Sequence, residues 1–340
     1  MNFDFTDDQQ AIKRTAKDLL AKRFKPEAVR ELAEGGRYED SHWSELADLG
    51  WPGIFIDEEH GGQGLATVEL VILMEELGYS LAPVPFFSNA AAGLALRHAG
   101  SDDQRARWLP GIASGEQRGT AGVMSGGQAA LVPDADSAAM IVLFENGSGS
   151  VHEATACEVE PIETIDATRR FARVRPSSPG EPLAGDPAPA RDRIAVALAA
   201  ELTGLSQRVM EVAVEYARDR KQFDRPIGAY QAVSHRCADM LNSVESARSM
   251  MLWAAWAAEA EPETLPLAAA MAKSLASDAG WQVTSSALQV LGGIGFTWEH
   301  DLHFFLKRAK VDGMLFGSAR EHRGRVADLS GLSPAPAAYT

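Results

Sequence analysis

The chain has 340 residues, 46% of them apolar and 23% charged, and carries a formal net charge of −15. That length allows two or three compact units, and the acidic balance argues against general binding to nucleic acid or to an anionic membrane, both of which need a basic surface. Two cysteines, Cys157 and Cys237, are too few for a disulfide framework or a metal cluster, so no metal site is expected. The opening MNFDFTDDQQ lacks the blocks of a signal peptide and no uncharged apolar run could span a bilayer, so a cytoplasmic protein is expected.

Residues 1–117 read as a helical domain. Thr6 with Gln9 forms a capping-box pattern, after which Ile12, Ala16, Leu19 and Leu20 recur at helical spacing. SHWSELADLGWPGIF predicts a helix ended by glycine and proline. ATVELVILMEELGYSLAP predicts an apolar helix stopping at Gly78, with Met74 and Leu77 as core residues. SDDQRARWLPGIASGE predicts a helix capped by Ser101 and ending at Pro110.

Residues 118–188 change character to a small β domain. SAAMIVLFENGSGSVHEA predicts two strands joined by a glycine-containing turn, and RPSSPGEPLAGDPAPA reads as a linker. Residues 189–332 return to helix. Ile194, Leu198, Leu202, Leu205, Val209 and Val212 share one face, and Val233, Cys237, Met240, Val244, Ala247 and Met251 share another. LPLAAAMAKSLASDAGWQVTSSALQVL predicts a third helix and DLHFFLKRAKV opens a fourth, which predicts an antiparallel four-helix bundle before a tail at 333–340. The fold class expected is α+β, mainly α.

Two connections in the bundle stand out. RDRKQFDRPIG gathers arginines around Phe223, and QVLGGIGFTWEHDL places Gly292, Gly293 and Gly295 close together. Glycine lets a backbone approach a phosphate and arginine supplies a planar donor fork. By residue type alone, a solvated basic loop and a glycine helix cap are the favoured explanation. A helix rather than a strand precedes GGIG, so it is no dinucleotide fingerprint.

Together, RKQFDRPIGAYQAV, QVLGGIGF and LGWPGIFIDEEHGGQGLATVELVILMEELG resemble the acyl-CoA dehydrogenase family, in that family's order of α domain, β domain and α bundle. The resemblance implies FAD-dependent introduction of a double bond between C2 and C3 of an acyl-CoA thioester, in a tetramer. It also implies that the loops carrying Arg220, Phe223, Gln289, Gly292 and Gly293 hold the pyrophosphate and adenosine end of an FAD seated in a neighbouring subunit. Asp224 departs from the family's usual glycine.

Two further departures bear on activity. The β zone is short, has GVMSGGQAALVPDADSAAM where the family carries a flavin-contacting stretch, and has no tryptophan between Trp108 and Trp253. Aligned through RAKVDGMLFGS, the position of the family's glutamate base is Phe316, which cannot accept a proton. No catalytic residue is therefore assigned. The resemblance narrows to the degenerate subunits of actinobacterial α2β2 acyl-CoA dehydrogenases, several acting on steroid-CoA side chains. That implies a complete homologous partner subunit that binds most of the acyl-CoA, with electron-transfer flavoprotein as acceptor. A free-standing homomeric enzyme using Asp192 or Glu201 as base is the alternative, and a scaffold that binds neither ligand is a third reading. By residue type, Glu201 reads as a solvated or helix-packing charge.

Overall fold

The computed structural model describes residues 4–36 and 38–332; the expected tail at 333–340 lies outside the described residues. Six helices come first: α1 (Asp7–Arg23), α2 (Pro26–Gly35), α3 (Asp40–Asp48), α4 (Thr67–Tyr79), α5 (Phe86–Ala99) and α6 (Asp102–Ser114). The capping boxes at Thr6 and Ser101 both form, each satisfying an N-terminal amide that would otherwise lack a partner.

Helix α6 does not end at Pro110, as its sequence suggests, but carries that proline inside it and runs to Ser114. Trp108, Leu109, Ile112 and Ala113 are buried on both sides of the proline, and this burial offsets the one lost backbone bond. Helices α2 and α5 have no counterpart among the expected elements. Nearly every residue of α5 is buried, so its sequence is apolar all round and shows no helical period.

The β region forms two sheets. β1 (Gly119–Val123), β3 (Met140–Glu145), β4 (Ser148–Glu153) and the short β7 (Glu181–Pro182) make one, in the order β1-β3-β4-β7. β2 (Ala129–Pro133), β6 (Phe171–Pro176) and β5 (Cys157–Ile162) make the other. The expected hairpin is β3–β4, turning on Asn146 and Gly147, both with positive φ as a tight two-residue turn requires. Along β3 the side chains alternate. Met140, Val142 and Phe144 join the main helical core, whereas Ile141 and Leu143 pack in a separate core with Ala129, Val132, Ala172 and Val174 of the second sheet.

Three long helices follow: α7 (Ala188–Asp219), α8 (Gln231–Ala260) and α9 (Leu265–Leu291). The bundle's fourth member is short, α10 (Leu302–Asp312), and a fifth, α11 (Ala319–Leu329), follows it. The break between them holds Phe316 at φ +53° and Gly317 at φ +108°, backbone angles that no right-handed helix accommodates. Most of the expected apolar faces point inward: Ile194, Leu198, Leu202, Leu205 and Val209 of α7 and Met240, Val244, Ala247 and Met251 of α8 are buried, whereas Val212, Val233 and Cys237 are half-buried. Met74 and Leu77 are core. Among the described residues, no helix is long and apolar enough to cross a membrane.

Helices α4 and α7 cross with their backbones in contact. A methyl group at Gly78 would overlap the carbonyl of Glu201, and one at Gly204 would overlap the carbonyl of Glu75. This crossing fixes Glu201 relative to the N-terminal helices. Gly204→Ala is expected to destabilise the protein by about 1–3 kcal/mol despite alanine's better helix propensity. Gly324→Ala, at an exposed α11 position with nothing within 4 Å, should stabilise by about 0.5–1 kcal/mol. Urea denaturation of the two variants tests the contrast.

Candidate functional site

The segment from Asp312 to Gly317 is held from beneath by a buried lysine. Lys273, on α9, donates to the backbone carbonyls of Asp312 at 3.0 Å, Gly313 at 3.2 Å and Gly317 at 3.2 Å, and to Ser277 Oγ at 3.1 Å. Burial pulls its ammonium down to about 7, and the nearby Asp312 charge opposes that shift. His322, kept neutral by burial with a pKa lowered to about 4, donates through Nε2 to the carbonyl of Phe316 at 3.1 Å. The chain therefore enters its left-handed turn with its carbonyls already paired, which sustains an unusual φ at a bulky residue.

The Phe316 ring is buried between all three parts of the molecule. It meets Phe87 of α5 and Phe144 of β3 edge-to-face, each at 6.2 Å between centroids. The Arg169 guanidinium lies 5.0 Å from the Phe87 centroid and that of Arg191 lies 5.9 Å from the Phe144 centroid. Where the resemblance calls for a proton acceptor, the structure has an apolar plug flanked by cations.

Beneath that plug lies a buried ionic lattice. Arg169, from the loop between β5 and β6, grips Glu201 of α7 in a bidentate pair at 2.7 and 2.8 Å and reaches Asp312 of α10 at 2.6 Å. Arg308 of α10 bonds Glu201 at 2.7 Å, Asp166 at 2.6 Å and Thr168 Oγ1 at 2.7 Å. All these groups are buried. Beside them Asp134 accepts from Tyr38 at 2.5 Å and from Ser88 at 2.7 Å.

Two guanidiniums thus face three carboxylates, Asp166, Glu201 and Asp312. Burial pushes Asp312 up to about 7 against the attraction of Arg169, with Glu201's charge adding to the rise. Asp312 Oδ2 accepts no bond, so it is the oxygen free to carry a proton. With that proton the two guanidiniums and three carboxylates carry no net charge, which lowers the cost of burying them.

The two alternative bases are both engaged. Burial raises Glu201, but Arg169 and Arg308 outweigh it and hold its carboxylate below the usual range. Asp192, also buried, is paired with both terminal nitrogens of Arg325, one of them at 2.9 Å. Glu201 is therefore a packing charge rather than a solvated one. Its position signals this, since it falls on the apolar stripe between Leu198 and Leu205.

The two loops singled out in the sequence present the opposite picture. β8 (Lys221–Gln222) and β9 (Arg225–Pro226) form a hairpin whose two turn residues, Phe223 and Asp224, have φ of +53° and +64°. The turn thus asks for left-handed backbone at position 224, a conformation aspartate tolerates better than most residues. Phe223 is 89% exposed, Arg220 and Gln289 are also exposed, and no carboxylate pairs with Arg220 among the described residues. Arg225 instead stacks on Tyr230 at 3.9 Å, and the Tyr230 hydroxyl donates to the Gln222 carbonyl at 3.0 Å. Gly292 has φ +64°, and a methyl at Gly292 or Gly293 would meet nothing within 4 Å. Packing within the subunit thus gives no reason for Gly293 to be glycine, whereas a backbone kept bare for an incoming group does.

Comparison with known proteins bears on these sites. The model of the acyl-CoA dehydrogenase N-terminal domain matches residues 6–116, and that of the C-terminal domain matches residues 191–330. The chain is 37% identical over 322 residues to acyl-CoA dehydrogenase IpdE2 of Mycobacterium tuberculosis, covering 93% of this chain and 95% of that protein. Its fold matches a steroid ACAD variant, Tcur3481-Tcur3483, with a TM-score of 0.87 and 26% identity over 96% of this chain and 98% of the other. It also matches the ChsE4-ChsE5 complex from Mycobacterium tuberculosis, with a TM-score of 0.88 and 24% identity over 98% of this chain and 100% of the other.

Arg308→Met is expected to cost about 3–5 kcal/mol, because it leaves Asp166 buried without its guanidinium and Glu201 with Arg169 alone; urea denaturation measures it. Asp312 holds its proton in the folded chain up to about 7 but loses it in the unfolded chain above about 4, so its contribution to stability fades as pH rises through that window. Asp312→Asn removes the titration. Its stability relative to the parent should therefore rise from pH 5 to pH 7, by up to about 1.4 kcal/mol per unit, in denaturation curves at the two pH values.

Proposed function

Since the chain belongs to the acyl-CoA dehydrogenase family, we propose that it serves as the non-catalytic subunit of an FAD-dependent acyl-CoA dehydrogenase, paired with a complete homologue in an α2β2 assembly. The observation that carries this reading is a contrast within one chain. The place of the base is filled by Phe316 and sealed by Phe87, Phe144 and the Arg169 lattice, while the Arg220 and Gln289 loops stand open to solvent. In an enzyme acting alone, the site would need a carboxylate free to take a proton, and both Glu201 and Asp192 are bound by arginines.

The exposed residues fit the pyrophosphate and adenosine end of FAD. Arg220 supplies a charge-assisted donor fork for pyrophosphate, Phe223 an apolar face, Gln289 amide donors and acceptors, and Gly292 and Gly293 a backbone that can be approached closely. An FAD held there would supply the acceptor for the hydride that leaves C3 of the thioester. This chain's part is to bind and orient the cofactor, while the partner holds most of the acyl-CoA and supplies the base. Electron-transfer flavoprotein is the acceptor in this reading. The steroid ACAD to which the chain is 26% identical supports a steroid side-chain CoA as substrate, and its name, Tcur3481-Tcur3483, joins two proteins.

Co-expressed with a complete homologous subunit, the chain should purify in a yellow complex with fewer flavins than subunits. Expressed alone, it should be colourless or poorly soluble. A yellow homotetramer that oxidises an acyl-CoA would overturn the proposal. In the complex, Arg220→Ala should weaken FAD retention by about 1.5–3 kcal/mol, and Gln289→Ala by less, as read by flavin content after dilution. Phe316→Glu should add neither flavin nor turnover and should destabilise the chain, since its carboxylate would be buried without a partner.

A further inference from the structure

A cleft of about 490 Å³ opens where α1, α2, the end of α4, α7 and the start of α10 meet. It lies about two helical turns beyond Glu201 along α7, and shares no lining residue with the surroundings of Phe316 or with the Arg220 and Gln289 loops. Nothing in the proposed dehydrogenase role uses it. Its size is that of a small-molecule site, and its floor is apolar: Phe24, Leu81, Val209 and Leu302 are buried there, with Phe305 beside them.

The charges around the cleft are lopsided. Lys17, Lys25 and Arg208 all line it, and none pairs with a carboxylate among the described residues. Arg208 is half-buried, 5.6 Å from the Tyr79 ring centroid and within reach of the Tyr79 hydroxyl, which donates to Glu211 at 2.5 Å, so tyrosine rather than a direct acid partner positions its guanidinium. Three acids also reach the cleft. Asp301 is bound to Arg30 at 2.5 Å, Glu76 lies 3.5 Å from Lys13, and Glu299 is exposed. Lys17 acts on Glu76 across the cleft, which leaves an apolar floor under a half-buried arginine and Lys25, neither in an ion pair among the described residues; this is complementary to a molecule with an apolar body and one anionic end.

We propose that this cleft is a binding site for an apolar carboxylate, its tail lying among Phe24, Leu81, Val209, Leu302 and Phe305 and its carboxylate on Arg208 with Lys25. The proposal does not depend on the dehydrogenase reading, because it concerns a separate site and is read by binding alone.

The test is calorimetric titration of the purified protein, in its complex where it has one, with dodecanoate. Dodecan-1-ol and dodecyltrimethylammonium share the tail but carry a neutral or a cationic end. Dodecanoate should bind at one site per chain, with dodecan-1-ol weaker by about tenfold or more and the ammonium weaker still. Arg208→Gln should weaken dodecanoate by about tenfold while leaving dodecan-1-ol unchanged. Ala21→Trp, at an exposed position on the cleft's edge, should block both, with thermal unfolding of each variant confirming that it folds. No dodecanoate binding, equal affinity for the three amphiphiles, or binding unaffected by both substitutions would each overturn the proposal.

Discussion

The bidentate grip of Arg169 on Glu201, completed by Arg308, is the interaction on which the rest of the molecule depends. It is made by a loop of the β region, a long bundle helix and the short helix α10. Each of these guanidiniums and carboxylates would be costly to bury alone, so the three elements are tolerable only when assembled together. The backbone crossing of α4 on α7 at Gly78 and Gly204 places Glu201 within reach, and Lys273 fixes the carbonyls at the far end of α10. The charges therefore act mainly on geometry, setting how the β region and the C-terminal helices meet.

That geometry explains why the place expected to hold a base is closed. A general base needs an unpaired carboxylate reachable by substrate. Here Phe316 closes the space with an aromatic trio, and the carboxylates beneath it are committed to arginines. The surface loops behave in the reverse manner. Phe223, Arg220 and Gln289 leave an aromatic face, a cation and an amide in solvent, and the adjoining Gly293 is a glycine that nothing within the subunit requires. This contrast between an enclosed interior and exposed loop groups is what supports the proposal that the chain contributes to another subunit's site.

Much of this was legible in residue patterns, and the failures have physical causes. Period-3.6 stripes marked α1, α7 and α8, a long apolar run ended by Gly78 and two prolines marked α4, and the Asn146–Gly147 turn marked the β3–β4 hairpin, because amphipathic faces, helix stops and positive φ leave local signatures. Helix α5 was invisible since burial on all sides removes the period. Pro110 misled because a proline signals a helix end locally, whereas buried neighbours on both sides of it carried α6 onward to Ser114.

By itself, the sequence determined the mainly helical α+β class, the family, the presence of a phenylalanine at 316 where the resemblance implies a base, and the unusual loops at Arg220 and Gln289, since each is a matter of residue type at a definable spacing. Only the tertiary structure decided what became of the charges. Asp166, Arg169, Glu201, Arg308 and Asp312 span 147 positions from first to last, counting 312 less 166 plus one. Their pairing follows from the meeting of three distant elements. Glu201 and Arg308 each lie on a helical stripe of apolar residues, which marks a buried charge but names no partner. A carboxylate's role as base or as structural counter-ion depends on which groups lie within a few ångströms, and the approach of those groups is fixed by the fold.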